Sequence, residues 1–465
     1  MYRGYVRQSN IAPPGYCPRS RRSRLGWLRS PDRHQPANAA RNRHQTGRSH
    51  RVRRALAEHR QHVLELVRGA WQRRLADTPG EPVPLAAALH RVLARDIAAP
   101  VSLPPFANSQ MDGYAVSSAA TAGAPGPTVA FDVAPPVPAG RAAGELPVGC
   151  AVPVMTGAML PEGADAVVPI EQAVPDTFAP FAPGHTVELP ANVRPGQFVR
   201  PAGSDIPAGA PALPAGTVLK AGQLGLLAAL GVAEVPVRPR LRVLLLSTGD
   251  EVVPPGCGLG PGQIYDANTT MLSAALADAG CEVASSRILA DAPDLFAQAL
   301  AGDLERVAPD LVLTSGGISK GAFEVVKLAL AGHGVEFVSV AMQPGGPQAL
   351  GQVHGTAFLG FPGNPVSSLV SFEMFLRPAL SAVLSVPSPR TVLQVPLQVP
   401  PGTALESPPG IHQVRRGRYD GAGAVPVGGP ASHLVHALAH SNALLQLPPE
   451  VTRLEAGGNV EIWLL

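Results

Sequence analysis

The chain has 465 residues, 45% of them hydrophobic, which is enough for several domains with buried cores. Its net charge of +3 hides an asymmetry: residues 1–54 hold fourteen Arg, no Lys and one acid, Asp32, leaving 23 basic and 33 acidic residues elsewhere. The body therefore lacks the broad basic surface of a nucleic-acid binder, and no run approaches the ~18 uninterrupted apolar residues of a membrane span.

Residues 1–54, rich in Arg, Ser and Pro, have little to bury and read as a disordered tail. They lack the apolar region of a secretory signal. The four cysteines, Cys17, Cys150, Cys257 and Cys281, form no CxxC pair and read as reduced thiols of a cytoplasmic protein. Leu56, Val63, Leu64, Leu66 and Val67 recur near a helical period and predict a helix over 55–76. A second helix is expected over 84–93. Short strands follow, among them 128–133 and 166–170, the latter held to an edge by Pro169. A helix over 221–230 ends at Gly231.

From Arg240 strands and helices alternate. Strands are expected at 241–246, 282–289, 311–314, 335–340 and 356–359. Helices are expected at 268–279, 294–306, 324–331 and from 365 to about 384. This rhythm predicts an α/β domain with a parallel sheet covered on both faces. The stretch 367–386 contains Glu373 and Arg377 and reads as a buried helix, not a membrane span. After Pro387 the segments shorten again, as in a small β-domain.

In an open parallel sheet, ligands bind beyond the carboxyl ends of the strands. Three small-residue loops fall there: Ser247-Thr248-Gly249-Asp250-Glu251, Ser315-Gly316-Gly317-Ile318-Ser319, and Gly360-Phe361-Pro362-Gly363-Asn364-Pro365. Glycine lets backbone N–H groups approach an anion, and helix starts at Pro365 and after Ser319 would add partial positive charge. Each loop alone is an ordinary turn; three at corresponding strand ends point to a binding site. No Walker A and no GxGxxG after the first strand is present, which argues against a P-loop NTPase or a nicotinamide enzyme. Asp250, Glu251, Asp266, Asp291 and Glu324 lie near these loops, and carboxylates beside a phosphate pocket suit Mg²⁺. Asp250 also suits a local turn, and Asp294 a helix cap. His433, His436 and His440 would share one helical face, but no fourth metal ligand accompanies them, so a packed or solvated face is the plainer reading.

Several motifs, taken in order, resemble the molybdopterin molybdenumtransferases, the MoeA and gephyrin E-domain group. They are Ser109-Gln110-Met111-Asp112-Gly113-Tyr114-Ala115, Met155-Thr156-Gly157-Ala158, Glu162-Gly163-Ala164-Asp165-Ala166-Val167-Val168 and Gly203-Ser204-Asp205-Ile206. The run from Ser247, Ile264-Tyr265-Asp266, Ser315-Gly316-Gly317, Pro362-Gly363-Asn364-Pro365 and the Gly-Pro-Ala-Ser-His stretch at Gly429 complete the set.

The resemblance implies a multidomain α/β protein. A first domain over 55–100 and 190–239 would be interrupted by a β-rich lid domain over 101–189. A central three-layer, parallel-sheet molybdopterin-binding domain over 240–386 and a β-barrel-like domain over 387–465 would follow. It implies a homodimer that inserts molybdate into adenylylated molybdopterin and releases AMP with a divalent cation, Mg²⁺. The cleft would lie between the α/β domain of one subunit and the second domain of the other, and contact with molybdopterin adenylyltransferase would supply the substrate.

Carried onto this chain, the resemblance makes Asp112, Thr156, Asp205, Glu251 and Asp291 catalytic. Glu251, Asp291 and Glu324 would hold the metal. Thr248, Gly249, Asp250, Ser315, Gly316, Gly317, Ser319, Pro362, Gly363, Asn364, Pro365 and Ser367 would bind the pterin substrate and molybdate. Glu324 stands where the family often has Asp, and lysines common in relatives near Gln343 and Gly346 are absent. Two alternatives remain open: a scaffold that has lost turnover, and a molybdopterin adenylyltransferase.

Overall fold

A computed structural model describes residues 53–178, 181–318, 324–386 and 389–465. The tail expected over 1–54 lies outside these except for Arg53 and Arg54. Arg54 already belongs to the folded body: its amide donates to Ser339 O at 2.9 Å, and its carbonyl accepts from the Ala341 amide.

Helix α1 (Leu56–Asp77) comes first and buries Val63, Val67 and Trp71 on one face. The helix expected over 84–93 does not form. Glu81–Pro84 is a strand paired antiparallel with Glu234–Val237, followed by one 3₁₀ turn, Leu85–Ala87. Pro82 and Pro84 carry no N–H, so this segment cannot feed a helical ladder and takes an edge position instead. The lid segment forms a five-stranded sheet in the order 166–169, 113–116, 150–154, 128–133, 186–190. Pro169 does lie on its edge strand.

The α/β unit is built from β1 (Arg242–Thr248), α2 (Ala267–Asp278), β2 (Glu282–Leu289), α3 (Pro293–Val307), β3 (Leu311–Ser315), α4 (Val325–Leu330), β4 (Val335–Ser339), β5 (Pro347–Val353), β6 (Thr356–Phe361) and α5 (Pro365–Leu384). The sheet order is β2-β1-β3-β6-β5-β4. Four strands are parallel, but β5 runs against both neighbours, so the sheet is mixed where a wholly parallel one was expected. The missed strand contains Pro347, Gly351 and two Gln, a composition that masks its pattern.

Strand alternation divides this unit into two cores. Val243, Leu245 and Leu313 face α2, α5 and α1; Leu244, Leu246 and Val312 face α3 and α4. α1 thus completes the α/β layer, although the sequence groups it with the first domain. α5 is the one described helix long and apolar enough to cross a membrane, yet 72% of its apolar window is buried in this core. It widens into a π turn at Phe372–Leu376 just before Pro378, whose ring removes one helical donor.

The carboxy-terminal sheet runs Met342–Gln343, 412–419, 443–447, 459–464, 392–396, with Ala424–Pro426 on its flank. Leu397 bridges back to Ala424, and the Gln398 amide donates to Ala424 O at 2.8 Å, which closes the strands into a ring.

Candidate functional site

The loops after β1, β3 and β6 meet above the sheet. Gly316 and Gly317 follow β3 with φ of 101° and 67°. A Cβ at Gly316 would lie 2.8 Å from Thr248 Oγ1, and one at Gly317 3.0 Å from the same atom. Only glycine fits two loops packed this closely. Gly363 backs onto Gly316, and the Gly316 amide donates to Phe361 O at 3.0 Å.

Asn268, in the first turn of α2, ties the loops together. Its Nδ2 donates to Ser315 Oγ at 2.8 Å and to Gly363 O at 2.6 Å. Ser368 does the same from α5: its hydroxyl donates to Pro362 O at 2.7 Å and lies 3.0 Å from Ser315 Oγ. Asp266 caps α2 by accepting from the Thr269 amide and hydroxyl at 2.9 and 2.6 Å. Sequence reasoning missed Asn268 and Ser368; an Asp at 266 just before the expected 268–279 helix is a cap signal that could have pointed to this turn. Thr248 Oγ1 and Asn268 Oδ1 are buried without a hydrogen-bond partner among the described residues. Buried polar atoms left unpaired at a loop junction are what a bound oxyanion or its water would satisfy.

The acids gather beside these loops. The Asp291 amide donates to Asp250 Oδ1 at 3.0 Å, joining the loop after β2 to the loop after β1. Burial raises the Asp291 carboxyl above its ordinary value. A hydrogen bond from the Asp250 backbone opposes the rise, and the charges of Asp250, Glu251 and Glu324 add to it. Three of the four carboxylates are thus felt at the fourth. Yet among the described residues no three His, Cys, Asp or Glu side chains stand close enough to form a ready metal centre. Glu251, Asp291 and Glu324 form an electrostatic cluster, not a preassembled ligand set.

Other expected residues fall in different places. Ser319 lies outside the described residues. Among the described residues α4 covers Val325–Leu330, and the Lys327 amide donates to Gly317 O. Ser367 is buried, and its carbonyl accepts from Ser371. Asn364 precedes α5 without a side-chain cap, and Pro365 takes the first turn.

In the lid, Asp112 Oδ1 accepts from the Thr156 amide at 2.6 Å and from its hydroxyl at 2.8 Å. These bonds, the backbone one foremost, hold the Asp112 carboxyl below its ordinary range. Gly113 is obligatory beside it, because a Cβ there would sit 2.0 Å from Val168 O. Asp205 stands apart: its amide donates to Leu103 O, at the opposite end of the short 108–109/199–200 ladder from Asp112. No hydrogen bond or ion pair among the described residues links Asp112 or Asp205 to the Asp291 cluster. The three histidines near the carboxy terminus form no metal group either; His436 and His440 stack edge to face at 4.5 Å.

Residues 51–231 match the MoeA N-terminal region (domain I and II), 244–382 a probable molybdopterin binding domain, and 398–465 the MoeA C-terminal region (domain IV). The chain is 43% identical over 421 residues to molybdopterin molybdenumtransferase 2 of Mycobacterium tuberculosis, covering 88% of this chain and 99% of that protein. It is 36% identical over 400 residues to the molybdopterin molybdenumtransferase of Haemophilus influenzae, covering 83% and 94%. Among solved structures, the molybdopterin biosynthesis MoeA protein of Pyrococcus horikoshii superposes with a TM-score of 0.68 at 29% identity, covering 86% of this chain and 98% of that one.

Proposed function

This chain belongs to the MoeA family of molybdopterin molybdenumtransferases, and from that premise we propose how its site works. It is a transferase of molybdenum-cofactor synthesis that inserts molybdenum into molybdopterin. The substrates are molybdate and adenylylated molybdopterin, and AMP is the leaving group. The three loops grip the substrate's oxyanions: Thr248 Oγ1 is buried and unpaired between them, and the Gly317 amide donates to no carbonyl among the described residues.

The carboxylates suit a hard divalent cation in donor chemistry and in charge. Glu251, Asp291 and Glu324 would hold Mg²⁺, with Asp250 positioning the Asp291 loop; because they do not converge as a set, substrate phosphate oxygens would complete the shell. Bound there, the cation would neutralise charge developing at the phosphoanhydride. Asp112, held ionised by Thr156, faces the reaction from the lid of a second subunit. This reading makes the enzyme a dimer, working in the cytoplasm beside the adenylyltransferase that makes the substrate.

The observation that carries this reading is the meeting of the glycine loops around the buried, unpaired Thr248 Oγ1, with the Asp291 amide tied to Asp250 at 3.0 Å on the loop that follows Thr248. The test is AMP release from adenylylated molybdopterin, assayed with and without molybdate and Mg²⁺. Release that requires both supports it. ATP consumption would mark an adenylyltransferase, and binding without release a scaffold.

A further inference from the structure

A cavity lies at the end of β1 opposite the candidate site. It has a volume of about 490 Å³ and sits where α1, the first domain and the back of the α/β unit meet. The candidate site follows Thr248, whereas this cavity is lined by Arg238 and Arg240, before the strand starts. Seven strand residues at about 3.3 Å each put roughly 20 Å between them.

The cavity's charge is one-sided. Lys220, Arg238 and Arg240 line it, and none of them makes an ion pair among the described residues. Lys220 is one of only three lysines in the chain. The remaining charged lining is already matched: Arg91 pairs with Glu81, and the acid Asp278 pairs with Arg377. Three uncompensated cations around one concavity repel each other and focus positive potential. Trp71, Leu89 and Val92 are among its apolar lining. His90, also in the lining, has φ 62°, an uncommon conformation for a residue other than glycine, and its amide donates a hydrogen bond to Leu219 O.

We propose that this cavity binds a small ligand that joins an apolar, ring-like body to a phosphate-type oxyanion. The cations take the oxyanion and the Trp71 wall takes the body. The volume lies within the few-hundred-Å³ range of small-molecule sites, which combine an apolar lining with a few placed polar groups. This proposal does not depend on the transferase reading, because it uses none of that site's residues.

The test is calorimetric titration of the full-length protein with ADP and, separately, with inorganic pyrophosphate. ADP should bind wild type and Asp291→Asn alike, and at least about tenfold more weakly to Lys220→Gln/Arg238→Gln, the loss of two charge-assisted contacts. Pyrophosphate should bind wild type less tightly than ADP, since it lacks the apolar body. Should the double variant fail to fold, Arg240→Gln, which alters an exposed side chain, serves instead and should also weaken ADP. The proposal is overturned if ADP does not bind at millimolar concentration, if the cavity variants bind it as wild type does, or if Asp291→Asn alone abolishes binding. Pyrophosphate binding as tight as ADP would overturn the apolar subsite.

Discussion

Thr156 gives both its amide and its hydroxyl to one oxygen of Asp112, at 2.6 and 2.8 Å. The aspartate is thereby fixed in rotamer and kept ionised, while its other oxygen stays available. Thr156→Val keeps the shape and the amide bond but removes the hydroxyl. Its rate of molybdate-dependent AMP release should fall about tenfold, the worth of one hydrogen bond to a charged group. Asp112→Asn should lose more. A Thr156→Val rate equal to wild type would deny the hydroxyl any part in holding Asp112.

If Asp112 serves the partner's α/β site, two different lesions can complement. Mixing Asp112→Ala chains with Asp291→Ala chains should restore activity in heterodimers, because one of the two sites then has both acids. Verified heterodimers with no activity above either homodimer would show that both acids work in one chain or that no site is shared.

Glu373 is 2% exposed and accepts two bonds from Arg390, at 2.9 and 2.8 Å, while Arg377 Nε lies 3.3 Å away. It is the acid of a buried ionic group between α5 and the segment leading to the last domain. Glu373→Ala leaves Arg390 without its acid and the buried Arg377 with Asp278 alone, and should cost about 3 kcal/mol of unfolding free energy. Denaturant melts check this, with Asp291→Ala as a variant that should not lose stability.

His59 on α1 is 1% exposed, packed edge to face on Phe375 at 4.6 Å. Burial, with smaller contributions from the Arg54 and His62 charges, pushes its imidazole from 6.5 down to about 3. The folded protein therefore holds this ring neutral where the unfolded chain protonates it. Its stabilising effect is complete above pH 6.5 and is lost as pH falls from there toward about 3. His59→Leu should flatten the pH dependence of the melting temperature across that window. An unchanged acid limb would show that other groups set it.

Much of this was legible in sequence. The Leu241–Leu246 run, the Gly280 stop and the Asp294–Arg306 helix follow period and punctuation, and tertiary packing did not override them. Two elements were not. The segment over 84–93 has apolar spacing that looks helical, but Pro82 and Pro84 decide the backbone. The strand Pro347–Val353 has too many Gly, Gln and Pro residues to show a period. At the site, the glycine loops were legible because glycine marks close approach. Asn268 and Ser368 were not, because a bond between loops 95 and 6 residues apart depends on the fold and leaves no local pattern. The mutual influence of Asp250, Glu251 and Glu324 on Asp291 is likewise tertiary, and motif spacing alone could not reveal it.

The most direct measurement is the Mg²⁺ dependence of molybdate-stimulated AMP release by wild type and by Asp291→Ala, each verified as a dimer. Wild type should require the cation, and Asp291→Ala should be slower by about 100-fold or more at saturating Mg²⁺, since losing a carboxylate that holds the cation removes charge stabilisation worth several kcal/mol. A near-wild-type rate in Asp291→Ala with an unchanged Mg²⁺ requirement would contradict the assignment of the cation to these carboxylates.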